Sequence, residues 1–288
     1  MKQVFVVIST LVSTALYAAS VSADGGCANL GLGNKSQIYA TLRQALSDVV
    51  GGGGNGGLNN NMWASIVDRD GKVCAVARSG DDRGDQWPGS RVISAQKANT
   101  GNAFSLPSDV QGFPAPLSTG NLYEAVQPGG SLFGLQHSNP VDTASAYGQN
   151  GHGGGNAAHY GTANDPLVGD FVGGVNVFGG GAALYKEGKT IVGALGVSGD
   201  TSCTDHIVAW KVRHALNLDD LPGGVNNGTD NIYFGVKDAN GHFGTPTPPP
   251  VGVVPGFAHP QCFDVPGNGD HVDIINDLPT DFAIGPAP

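Results

Sequence analysis

Two hydrophobic periods alternate along this chain, and each change of period marks an element. Ile38, Leu42, Ala45 and Leu46 recur at helical spacing, so residues 36–50 are expected to form a helix, with Ser36 as its cap and the glycine run 51–57 as its end. Residues 63–80 carry two runs rich in Val, Ile and Ala around Asp68-Arg69-Asp70-Gly71, which predicts a hairpin. A polar loop, DDRGDQWPG, leads to a second helix over 90–104, with Ser90 as cap and Val92, Ile93, Ala95 and Ala98 on one face.

From about 105 to 170 the pattern weakens. Pro107, Pro114, Pro116, Pro128, Pro140 and Pro166 interrupt this stretch, and residues 148–161 are rich in glycine, so a long insertion with at most short strands is expected to cover one side of the fold. Three strand-like runs follow over 171–199, the last two joined by a tight turn at Lys186-Glu187-Gly188-Lys189, and a closing helix spans 203–216. The tail beyond 218 contains GTPTPPPVGVVPG, a poor candidate for regular structure. This order predicts an α+β fold: an antiparallel sheet with helices packed on one face.

The amino terminus changes the picture of where the chain works. A short positive start, an apolar core over residues 4–19 and the small residues of Val21-Ser22-Ala23 predict a signal peptide over 1–23, cleaved before Asp24. The mature protein is then expected to be exported, periplasmic or secreted, with no later membrane span. Residues 1–23 hold one lysine and no acid, so their loss moves the formal charge from −10 to −11. Such an acidic chain excludes a phosphate-backbone partner, because nucleic-acid binding needs clustered Lys and Arg. Cys27, Cys74, Cys203 and Cys262 all lie in the mature part, and an even count in an exported chain predicts two disulfides. Three pairings are open. Cys27–Cys262 with Cys74–Cys203 would pin the two ends together and tie a strand to the closing helix.

Candidate chemistry gathers at the strand-to-helix junction over 193–216. Ser198 is not a nucleophile elbow, since Asp200 stands where that motif needs glycine. Ser202 and Asp205 match a capping box, and a ligand role for the junction's free amides rests on Ser198, Gly199, Asp205 and His206. Cys203 and His206 lack a partner pair with metal spacing, so no metal site is expected. Gly188-Lys189-Thr190 is no phosphate loop, because Ala183 replaces the required glycine, and the 51–57 glycine run follows a helix instead of opening one.

Three stretches, VDRDGKVCAVAR (67–78), SAQKANTGNAF (94–104) and GKTIVGALGVSGDTSCTDHIVAWKV (188–212), together resemble the GlcG/HbpS family, also described as the haem-degrading or DUF336 domain. The resemblance covers residues 36–104 and 170–217. It implies a family-like domain over 24–217 interrupted at about 105–170, with 218–288 as an irregular extension. It also implies a homo-oligomer and the binding of haem or a small organic ligand; no haem ligand carries over. Axial candidates are His152 and His159 in the insertion, beside His137 and Tyr160, and His206 in the junction. Arg78 and Lys97 are cationic candidates for propionates, the alternative being pairing with Asp68, Asp81 or Asp82. The chain therefore reads as an exported haem-binding or related small-ligand-binding protein, more a binding protein than an enzyme. The alternatives are an enzyme for a small oxidised or organic-acid substrate, with Asp205, His206 and Lys97 as acid–base groups, or an accessory subunit that docks a partner.

Overall fold

The structure is a computed structural model that describes residues 26–106, 117–149, 152–153, 155–186, 190–220, 230–249 and 254–282. The signal-peptide expectation and most of the expected 186–189 turn lie outside these residues.

Helix α1 (Lys35–Gly51) is capped by Asn34 in a reciprocal box with Gln37, two residues earlier than the expected Ser36. Strands β1 (Trp63–Asp68) and β2 (Val73–Arg78) form the hairpin, and α2 (Ser90–Phe104) follows with Gly89, not Ser90, at its cap position. Among its described residues the insertion holds three short α-helices, α3 (Leu122–Ala125), α4 (Leu135–Ser138) and α5 (Thr143–Tyr147), and two-residue strands β3 (Gly148–Gln149) and β4 (His152–Gly153). Strands β5 (Gly181–Lys186) and β6 (Thr190–Ser198) lead to α6 (Ser202–Ala215). The tail adds β7 (Val236–Lys237), β8 (Phe243–Gly244) and helix α7 (His271–Asp281).

The central sheet runs β2-β1-β6-β5, antiparallel throughout, which is the α+β arrangement. Helices cover both of its faces, not one. Ala64 and Ile66 of β1 point into a core with α1 and α6, whereas Trp63 and Val67 point into a core with α2. All six β1 residues are consequently buried. Both sheet edges are closed as well. Val73 exchanges backbone hydrogen bonds with Gly169 and Asp170 of the insertion, and the Tyr185 amide donates to the Leu218 carbonyl.

Helix α2 lies very close to the sheet because β6 presents glycine beneath it. A Cβ on Gly196 would overlap the Ser94 carbonyl and the Ala98 amide, both helix backbone. The Ser65 and Ser94 hydroxyls share a hydrogen bond of 2.8 Å across the same contact. Gly196→Ala is therefore expected to cost about 2 kcal/mol of stability by overpacking. Urea unfolding checks this, and an unchanged midpoint would mean that α2 can lift without loss.

The disulfides join Cys27 to Cys74 and Cys203 to Cys262, a correction to the cross-pairing that would have pinned the ends. The reason is spatial. Cys27 and Cys74 belong to the α1 side of the sheet, whereas Cys203 faces outward from α6 into a separate core built with the tail. In that core Trp210, Ile207 and Cys203 meet Ile232, Ile275 and Leu278, so the extension expected to be irregular contains a packed helix. Of the three expected strand-like runs, the first, around 171–177, forms only isolated bridges, since Gly173 and Gly174 take left-handed conformations. No helix among the described residues is long and apolar enough to cross a membrane.

Candidate functional site

The junction after β6 is held by its own side chains. Gly199 (φ +151°) is required because a Cβ there would come within 2.9 Å of the Asn61 carbonyl oxygen and the Met62 Cα. The Asp200 carboxylate accepts the amides of Leu58 (2.8 Å), Asn60 (3.0 Å) and Thr201 (2.6 Å). The end of the glycine-rich loop thus donates to carboxylates, with Gly57 donating to Asp264, which is the reverse of a phosphate cradle.

Thr201, not Ser202, caps α6, its hydroxyl accepting the Thr204 amide. Ser202 instead accepts the Gly179 amide at 2.7 Å and meets His259 Nε2 at 2.7 Å. His259 Nδ1 lies 2.6 Å from the Pro260 carbonyl, which can only accept; this sets the tautomer, so that Nε2 receives the Ser202 proton. Burial pushes His259 down to about 4, so the ring is neutral at neutral pH.

Asp205, the expected partner in the capping box, turns the other way. Its Oδ2 lies 2.5 Å from Lys97 Nζ and its Oδ1 accepts the Asp200 amide at 2.9 Å. Burial pushes its carboxyl up to about 6, although Lys97 and the Asp200 amide pull the other way. Lys97 is 1% exposed and is paired with Asp205, not with Asp68, Asp81 or Asp82. His206 is fully buried, with its ring edge-on to Trp210. Neither ring nitrogen meets a partner at hydrogen-bond geometry. Burial first and Arg213 second push the ring down to about 3, against the neighbouring Asn231 side chain, which favours the proton. Ser198 is buried too, so of the junction candidates none offers a free polar group at an open surface.

Access to solvent lies at the neighbouring end of the sheet. Trp63, Arg78 and Ser198 stand in one row across β1, β2 and β6. Above Trp63 opens a pocket of about 260 Å³ lined by Trp63, Asp82, Arg83, Gly84, Pro88 and Tyr160. The Trp63 indole N–H donates to the Trp87 carbonyl at 3.1 Å and fixes the ring. Tyr160 comes from the insertion and is held from behind: the Arg91 guanidinium stacks 3.8 Å from its ring centroid and forms a buried pair with Asp165. Asp165 in turn accepts the amides of Gly161 and Leu167. Arg78 donates to the backbone carbonyls of Tyr160 and Asp81, not to a carboxylate, and its buried Nε has no partner. Arg83 is exposed at the rim.

Two wider depressions are less suited to a flat anionic ligand. One, about 430 Å³, is lined by Ala40, Thr41, Gln44, Ala45, Asp48 and Ala215 and has no aromatic wall; the other, about 410 Å³, presents Asp264 and Asp270.

His159 is exposed on the 3₁₀ turn Ala157–His159, next to the pocket residue Tyr160. His152 lies on β4, where only its backbone is described. Sequence reasoning missed the pocket because its residues come from three distant stretches. The one local signal was the Asp-, Arg- and Trp-containing loop 81–89, whose Trp87 carbonyl holds the Trp63 indole.

The family model for haem degrading protein HbpS-like matches residues 56–213. No curated protein matches the chain. Among solved structures, a Klebsiella pneumoniae DUF336 protein, ORFY, is 22% identical with a TM-score of 0.39, covering 62% of this chain and 88% of its own. A PduOC:heme complex is also 22% identical, with a TM-score of 0.40 and coverage of 62% and 91%. The matched span runs from the glycine-rich loop to the last turn of α6 and fills more than half of the sequence: the chain belongs to the haem-degrading, HbpS-like family.

Proposed function

We propose that this protein binds haem, or a related flat molecule bearing carboxylates, at the Trp63–Tyr160 pocket. The observation that carries the reading is the composition of that pocket within the family-matched span: two aromatic walls and Pro88, with Arg83 at the rim and the unpartnered Arg78 Nε close behind Tyr160. At about 260 Å³ the pocket falls just below the roughly 300–1,000 Å³ typical of drug-sized ligands, so it fits one edge of a macrocycle and leaves the rest outside. His159 is the axial candidate on that open side, ahead of the core residue His206. Bound iron would supply the redox or ligand chemistry; Trp63 and Tyr160 would orient the ring and Arg83 at the rim would receive a carboxylate.

The signal-like residues 1–23 and the two disulfides support export to the periplasm or beyond, and the family resemblance supports a homo-oligomer. The enzyme reading draws no support from Lys97, Asp205 and His206, which lie beneath the surface.

A haem titration followed at the Soret band tests this. Saturable, stoichiometric binding is expected, weakened at least tenfold in His159→Ala and unchanged in His206→Ala. A flat titration of the unaltered protein would sink the reading, and loss in His152→Ala alone would move the axial ligand to β4.

A further inference from the structure

Where the tail crosses the start of α6, three potential metal ligands from two distant stretches converge. Cys203 leaves the first turn of α6, and His259 and Cys262 approach from the tail; one ligand atom from each lies within 4.8 Å of the others. We propose that reduction of the Cys203–Cys262 disulfide turns this cluster into a binding site for zinc or a cation of the same class. Two thiolates and an imidazole are a donor set that zinc favours, and the fourth position is open to water or to the Ser202 hydroxyl, 2.7 Å from His259 Nε2.

The geometry needs little change. Tetrahedral zinc holds two sulfurs at about 2.3 Å each, which sets them about 3.8 Å apart. The two cysteines stand 6.0 Å apart at Cα, so rotation of the side chains suffices. The Nδ1–H of His259 donates to the Pro260 carbonyl, as a metal-bound imidazole's second nitrogen commonly does, so Nε2 carries the free lone pair and exchanges its Ser202 hydrogen bond for the metal. The balance is simple: a dithiol reductant supplies two electrons and two protons to give two thiols, and the metal displaces both thiol protons on binding.

Two other groupings lack these features. At Cys27, Cys74 and Asp68 the third donor is a carboxylate already accepting the Asp70 and Lys72 amides. Near Asp264, Asp270 and His271 the carboxylates bond the Gly57 amide and cap α7. The consequence is that the clamp between the tail and α6 persists under reducing conditions, with a metal ion in place of the sulfur–sulfur bond.

The test is a cobalt(II) titration of the full chain after reduction, with zinc then displacing the cobalt. One tetrahedral cobalt per chain with sulfur charge-transfer bands is expected, in protein that keeps its helical circular dichroism and in Cys27→Ser/Cys74→Ser, where the other pair is silenced. His259→Gln should weaken binding at least tenfold, and the unreduced chain should bind none. The proposal is overturned by reduced, folded protein without those bands, by affinity indifferent to His259→Gln, or by bands that develop only as helicity is lost. Should the double serine variant not fold, the cobalt equivalent lost from the reduced natural sequence on His259→Gln gives the same reading.

Discussion

Asp205→Ala is expected to lower stability by about 3–5 kcal/mol, because it leaves the Lys97 ammonium buried without its partner. Urea unfolding measures the loss. The carboxylate is not needed for its own sake: Lys97→Met with Asp205→Leu removes both charges at similar volume and should recover most of the deficit. That recovery separates a structural ion pair from a ligand-binding one, since the double variant should also keep its haem affinity. A loss below about 1 kcal/mol for Asp205→Ala would place Lys97 in water and contradict its burial.

Acid should act mainly through His206. Its ring is held down at about 3 in the fold, against 6.5 ordinarily, so between these values the unfolded chain takes a proton that the folded chain refuses. Stability therefore falls as pH falls through this window, by about 1.4 kcal/mol per pH unit for this one group. His259, held at about 4, adds to the fall. Asp205 opposes it: between about 6 and 3.8 the folded carboxyl takes its proton first, and stability gains as pH drops. Comparing the unaltered chain with His206→Phe isolates the first contribution, and the variant should lose less stability per pH unit by that amount. Equal slopes would mean that the ring protonates inside the fold.

Much of the architecture was legible because strong periodicity coincided with burial. The residues expected to face the core in α1, namely Ile38, Leu42, Ala45 and Leu46, are the ones buried there, and α2 occupies residues 90–104. Helix α7 was overlooked although its signal was present: His271, Ile275 and Leu278 recur at helical spacing behind Asp270, an N-cap. The expectation of an irregular tail rested on GTPTPPPVGVVPG, which ends well before this helix begins. Layering was misjudged for a different reason. Strands such as WASIVD and VCAVAR are apolar on both sides, and that is a sign of two covered faces. The pocket and the disulfide partners depend on contacts far apart in sequence, which no local period encodes; the Ser202–His259 contact, 57 residues apart, is of this kind.

The family match ends at Arg213, and that residue's side chain forms a fully buried ion pair with Asp230 beyond it. The outer side of α6 likewise owes its cover to Ile232, Ile275 and Leu278. What the family comparison delimits and what cooperates as one stable body are thus different stretches of chain. A segment cut at the family boundary would leave the Arg213 guanidinium without its carboxylate and Trp210 without its cover, so the stable body reaches past the matched span.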